Sequence, residues 1–150
     1  SFMNAVILLV SHGQLSIELK NAYQMIAGKA EHIFALPLTE EGIETFSKQF
    51  HSLVEEKIKN NYLFLFTDIK GGTPYNESYR LKLKYPENIE VISGVNLPML
   101  LDIGTMLSFE ENVDKDTFTL YARKAVETAQ SSIERLLDSE VENNDLDDFF

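Results

Sequence analysis

Residues 5–10, AVILLV, form an unbroken apolar run that stops at Ser11-His12-Gly13. A run this short with no polar alternation predicts a strand buried on both faces. Leu15, Leu19, Ala22 and Ile26 then recur at helical spacing up to Gly28, the residue expected just past a helix end. Residues 32–38, HIFALPL, predict a second strand whose Pro37 belongs at a sheet edge or a strand terminus. Ile43, Phe46, Phe50, Leu53, Val54 and Ile58 make one stripe of a long helix over 40–60. Residues 62–66, YLFLF, predict a third strand closed by Thr67-Asp68. GGTPYN then opens a helix that runs to about Tyr85 and stops at Pro86. Residues 89–92 predict a fourth strand, Gly94-Val95-Asn96-Leu97-Pro98 opens a helix to about Leu107, and a last helix covers 116–130.

Strands that alternate with helices imply parallel β-α-β units. Strands without polar alternation imply helices on both faces of the sheet. The expected fold class is therefore α/β: doubly wound, with a mainly parallel four-stranded sheet in the order 2-1-3-4. In such a sheet, ligands bind outside the carboxyl ends of the strands. The residues that follow each strand are the ones that matter for chemistry.

The totals narrow the classes. A chain of 150 residues suits a single domain, and the absence of cysteine removes disulfides and thiolate metal sites. The first apolar run is too short to span a membrane and lacks the flanks of a signal peptide. Net charge is −11, of which residues 138–150, DSEVENNDLDDFF, supply −6, leaving −5 for the rest. That tail reads as disordered. An acidic body argues against nucleic-acid binding and suits a partner with a basic face.

Three strand ends carry distinctive residues: Ser11-His12-Gly13, then Thr67-Asp68 with Gly71-Gly72-Thr73-Pro74, then Gly94-Val95-Asn96. If strands 1 and 3 are neighbours, about 4.8 Å apart, His12 and Asp68 project from one edge within side-chain reach. Asp68 could then hold Nδ1–H of the imidazole, leaving Nε2 to attack an electrophile. Thr73 reads as the N-cap of the next helix and Pro74 as its first residue. Free amides at that helix start would cradle an anion. Together these parts describe phosphoryl transfer through phosphohistidine. Taken singly, each is ordinary: a lone strand-end histidine or a glycine pair before Thr-Pro is often only structural. His32, at the start of the second strand, and His51, beside the apolar stripe, read as packing or boundary residues, and no metal site is expected.

VILLVSHGQLS, FTDIKGGTPYN and SGVNLPMLL resemble, in order and spacing, the EIIA component of the mannose-family (mannose, fructose, sorbose) sugar phosphotransferase system. The likeness spans residues 3 to about 130. It implies a cytoplasmic phosphocarrier domain over 1–137 that needs no cofactor. Such a domain takes a phosphoryl group from phospho-HPr onto a histidine and passes it to a histidine of an EIIB component, which serves sugar entering through membrane permease components. By motif position His12 matches the phosphorylated residue and Asp68 the carboxylate that orients it. Gly71, Gly72 and Thr73 match the phosphate-binding loop, with Ser11, Lys70 and Asn96 around the pocket. The resemblance further implies a homodimer in which a C-terminal antiparallel strand, here 132–136, swaps between partners, and an EIIB on a separate chain. Lys70 departs from the family, which often has an aromatic residue there. A phosphocarrier subunit of a dihydroxyacetone kinase system shares the fold and the strand-end histidine, and is the alternative. Metal chelatases can also carry His-Gly after a first strand, but they need further ligands that His32 and His51 do not supply.

Overall fold

A computed structural model describes residues 2–143. The chain order is β1 (Asn4–His12), α1 (Leu15–Ala27), β2 (Ile33–Leu38), α2 (Ile43–Lys57), β3 (Asn61–Thr67), α3 (Thr73–Lys84), β4 (Ile89–Ser93), α4 (Leu97–Phe109), α5 (Lys115–Ser131) and α6 (Asp138–Asn143). The four strands form one parallel sheet in the order β2-β1-β3-β4, as the alternating pattern predicts.

The unbroken apolar strands are explained by two cores. Side chains alternate across a strand, so Ile7, Leu9, Phe64 and Phe66 face one side with Tyr23 of α1, Met99 of α4 and Phe118 of α5. Val6, Leu8, Val10, Leu63 and Leu65 face the other, with Phe46, Phe50 and Val54 of α2 and Leu81 of α3. Phe118 lies between Tyr62 and Phe64 at centroid distances of 4.8 and 4.6 Å. Such aromatic pairs add about 0.5–1.5 kcal/mol beyond the area they bury.

Several boundaries move for identifiable reasons. β1 runs two residues past its apolar stretch, because Ser11 and His12 still pair in register with Pro37 and Leu38 of β2. His12 is thus the last residue of a strand. α2 begins at Ile43, not at 40, because Gly42 takes φ 101° and its N–H returns to the Thr39 carbonyl. That positive φ belongs to a turn and suits glycine alone.

The C-terminal segment adds no strand to the sheet of its own chain. Residues 132–136, expected as a swapped strand, run exposed beyond α5 and make no strand pairing within the described chain. Part of the tail expected to be disordered forms the short helix α6, none of it buried. The rest of that tail lies outside the described residues.

Candidate functional site

The turn after β1 is tied down from three sides. The Ser11 hydroxyl donates to the Gly13 carbonyl oxygen at 2.9 Å and accepts the Ser16 N–H at 2.8 Å. Gly13 takes φ 57°, and its N–H reaches the Leu38 carbonyl at the end of β2, 2.7 Å away. Ser11 is fully buried. It therefore does not line a pocket, as its place beside His12 suggested, but locks the turn beneath it. His12 is left at the rim with 51% of its side chain exposed.

Register brings the carboxylate to the imidazole. Val10 pairs with Thr67, and Asp68, the next residue of the neighbouring strand's exit, donates its N–H to the Val10 carbonyl at 3.2 Å. Asp68 Oδ2 accepts the backbone N–H of His12 at 2.8 Å and meets the ring Nδ1 at 2.8 Å. Its other oxygen accepts the Ile69 N–H at 2.9 Å. Burial raises the Asp68 pKa, but the His12 backbone N–H, the His12 ring and the Ile69 N–H outweigh it and hold the carboxyl below its ordinary value. An ionised oxygen only accepts, so Nδ1 carries the hydrogen, and in the neutral ring the lone pair is on Nε2.

The loop before α3 presses on the same ring. Gly71 adopts φ 86°, a left-handed turn that costs a glycine nothing. Its carbonyl is held by the Asn76 side-chain amide at 3.2 Å. Gly72 has an ordinary φ of −78°, yet a Cβ there would stand 2.7 Å from His12 Cε1 and 3.4 Å from Nε2. A side chain at this position would have to push the imidazole aside. Gly72 is also the N-cap of α3, so the helix begins one residue earlier than expected, with Thr73 its first residue and Pro74 its second. As a glycine, Gly72 offers no side chain to cap the helix. In this first turn Asn76 N–H already reaches the Gly72 carbonyl, and proline has no N–H. The amides of Thr73 and Tyr75 are left without an intrahelical acceptor.

Asn96 does not join this cluster. Its Oδ1 accepts the Met99 N–H at 3.1 Å and caps α4, while Nδ2 donates to the Ala129 carbonyl and the Ser132 hydroxyl, both at 3.2 Å. The side chain expected to border the pocket is spent on joining α4 to the end of α5. His32 and His51 also lie elsewhere. His32 Nε2 meets the Gly104 carbonyl at 2.6 Å, and His51 Nε2 meets Glu77 at 3.0 Å. One surface cleft is lined by Asn4, His32 and Glu110 at the opposite edge of the sheet, and another by Ser93, Gly94 and Asn96 with Ile133. His12 stands on an open rim, not in a closed cavity. Ile69 is a contributor that no motif reading singled out: its N–H holds Asp68 and its exposed side chain borders Gly72. An isoleucine after a strand-end aspartate carries no signal by itself. Among the described residues no cluster of His, Asp and Glu could hold a metal ion.

The family described as "PTS system fructose IIA component" (EIIA-man) matches residues 6–120. The chain is 31% identical over 108 residues to the fructose-specific EIIA component of Bacillus subtilis (strain 168), covering 71% of each protein. It is 33% identical over 99 residues to the sorbose-specific EIIA component of Lacticaseibacillus casei, covering 65% of this chain and 70% of that one. Among solved structures, the mannose/sorbose-specific IIA subunit from Enterococcus faecalis superposes with a TM-score of 0.76 at 26% identity, over 90% of this chain and 96% of that one. The match to the family covers both strand ends that build the His12–Asp68 pair, and the chain belongs to the mannose-family EIIA components of the sugar phosphotransferase system.

Proposed function

We propose that the chain is a phosphocarrier in which His12 Nε2 takes a phosphoryl group from phospho-HPr and passes it to a histidine of an EIIB component. The observation that carries this reading is the double contact of Asp68 Oδ2 with the backbone and ring nitrogens of His12. It fixes the tautomer, so the lone pair that must attack phosphorus is on the solvent side of the ring. In the transfer, the P–N bond of the donor phosphohistidine breaks and a P–Nε2 bond forms. Nδ1 keeps its hydrogen against Asp68, whose charge stabilises the positive charge that develops on the ring. Asp68 holds its negative charge through the cycle because its low pKa makes it a poor proton acceptor.

The phosphoryl oxygens would meet the start of α3. The free amides of Thr73 and Tyr75 and the positive end of the helix suit a dianion there, each helix-end interaction being worth about 0.3–1 kcal/mol at an exposed site. Gly72 lets that backbone come close to the ring. An open rim, with the His12 side chain half exposed, suits transfer between protein surfaces. No helix among the described residues is long and apolar enough to cross a membrane, in keeping with a cytoplasmic carrier that reaches the permease components only through EIIB. β4 ends the sheet, and Ile133 of the exposed segment 132–136 lines a cleft with Ile92 and Ser93 of β4, which supports the strand-exchanged homodimer, testable by light scattering.

The test is incubation with phosphoenolpyruvate, enzyme I and HPr. One acid-labile phosphate per chain is expected on the wild type and none on His12→Ala. Label on His12→Ala at the wild-type rate would overturn the reading. Onward transfer to a dihydroxyacetone kinase subunit, with none to an EIIB, would place the chain in the other pathway.

A further inference from the structure

The loops that leave the strands at the edge carrying His12 are poor in positive charge. Four loops leave the carboxyl ends of the strands: residues 13–14, 39–42, 68–72 and 94–96. They contain Glu40, Glu41 and Asp68, and Lys70 as their single lysine or arginine. Lys70 is exposed and has no ion-pair partner among the described residues. Its carboxylate neighbour Asp68 is already engaged by three N–H groups. Two residues further along the loop, Gly72 touches the His12 ring. The Lys70 Cα is therefore at most about 7.6 Å from the Gly72 Cα, and its ammonium moves on a flexible four-carbon stem.

We infer that Lys70 is the phosphoryl-binding cation of this site, resting on the phosphocarrier reading above. A dianion that arrives on Nε2 enters among strand-exit loops whose other charged side chains are negative, and the unpaired ammonium is the one side chain of opposite sign within those loops. Backbone amides supply partial charges; Lys70 supplies a full one. With Lys70 free in the unloaded state, no existing ion pair has to break when the phosphoryl group arrives. The bond lives on the phosphoryl oxygens, so it exists in the phosphorylated chain with no partner protein present. That separates it from a docking contact with the donor.

The experiment uses the full chain loaded with phosphate from phosphoenolpyruvate, enzyme I and HPr, then freed of those proteins. The 31P resonance of the phosphohistidine is followed against pH in wild type, Lys70→Met, Lys70→Glu and Lys70→Arg. A cation favours the fully ionised phosphoryl group. Its titration midpoint should therefore rise in Lys70→Met, rise further in Lys70→Glu and return toward wild type in Lys70→Arg. Uptake of label should fall roughly two- to fivefold in Lys70→Met, the scale of one exposed ion pair. An unmoved midpoint in Lys70→Met overturns the inference, including the case where uptake slows, since Lys70 would then act on the donor protein. Failure of the wild type to take any label overturns the phosphocarrier reading instead.

Discussion

A single oxygen of Asp68, Oδ2, holds two nitrogens of His12 at once: the backbone nitrogen at 2.8 Å and the ring Nδ1 at 2.8 Å. One carboxylate thus sets both the position of the histidine and the orientation of its ring. The backbone bond matters as much as the ring bond, because it fixes where the imidazole pivots.

Replacing Asp68 by Asn keeps the shape and removes the charge. The Asn carbonyl can still accept the backbone N–H, but the developing positive charge on the ring loses its counter-ion. Phosphoryl uptake should fall roughly 10- to 100-fold, the usual cost of losing a partner of this kind, with the circular dichroism spectrum unchanged. The Asp68 pKa in the folded chain is below its ordinary 3.8, so the stability it contributes is present above that value and lost as pH falls through the folded pKa. The stability gap between wild type and Asp68→Asn should therefore be constant at neutral pH and shrink in acid. A gap that widens in acid would contradict this assignment.

Gly72→Ala tests the close approach. The backbone there has an ordinary φ, so strain comes only from the methyl meeting His12 Cε1 at 2.7 Å. His12 is half exposed and can swing away, which spares the fold but breaks the Nδ1 contact. The melting temperature should stay within a few degrees of wild type while phosphoryl uptake drops at least tenfold. Equal uptake would show that the ring does not need this position.

Gly104→Ala is the converse case, far from the site. A Cβ there would stand 2.6 Å from Cε2 of Tyr23, a ring that is 1% exposed and cannot leave. Alanine favours a helix interior by about 0.5–1 kcal/mol, but overpacking a core costs about 1–3 kcal/mol. The clash wins. Thermal unfolding should shift down by several degrees, and phosphoryl uptake at low temperature should remain at the wild-type rate.

Tyr121 should ionise well above the ordinary tyrosine range. Burial first, then the hydrogen bond to Glu110 and its charge, push its phenol up to about 12. A folded pKa above the unfolded one means that the stability it contributes is complete below about 10 and disappears as pH rises through about 12. Absorbance titration near 295 nm should show a late component that shrinks in Tyr121→Phe.

Much of this arrangement is legible in one dimension because periodicity is a local property. The apolar run over residues 5–10 required a strand with both faces covered, and it has them. The spacing of Phe46, Phe50 and Val54 required a helix with one buried stripe, and all three are buried in α2. The order of the strand ends, with Ser11-His12-Gly13 first and Thr67-Asp68 third, put the two chemical groups on one edge once the sheet order was 2-1-3-4.

What the linear pattern left open is where each polar atom finds its partner. Ser11 and Asn96 both looked like pocket residues from their neighbours in the chain. Ser11 turned inward to hold Gly13 and Ser16, and Asn96 turned to Ala129, 33 residues away. Only the folded chain showed that Gly72 is a glycine because an imidazole 60 residues distant fills its side-chain space. Element type, burial and motif order follow from local spacing along the chain and were determined by the sequence alone. Hydrogen-bond partners and close approaches depend on the directions of side chains from separate elements, and those directions exist only after the sheet has set its register.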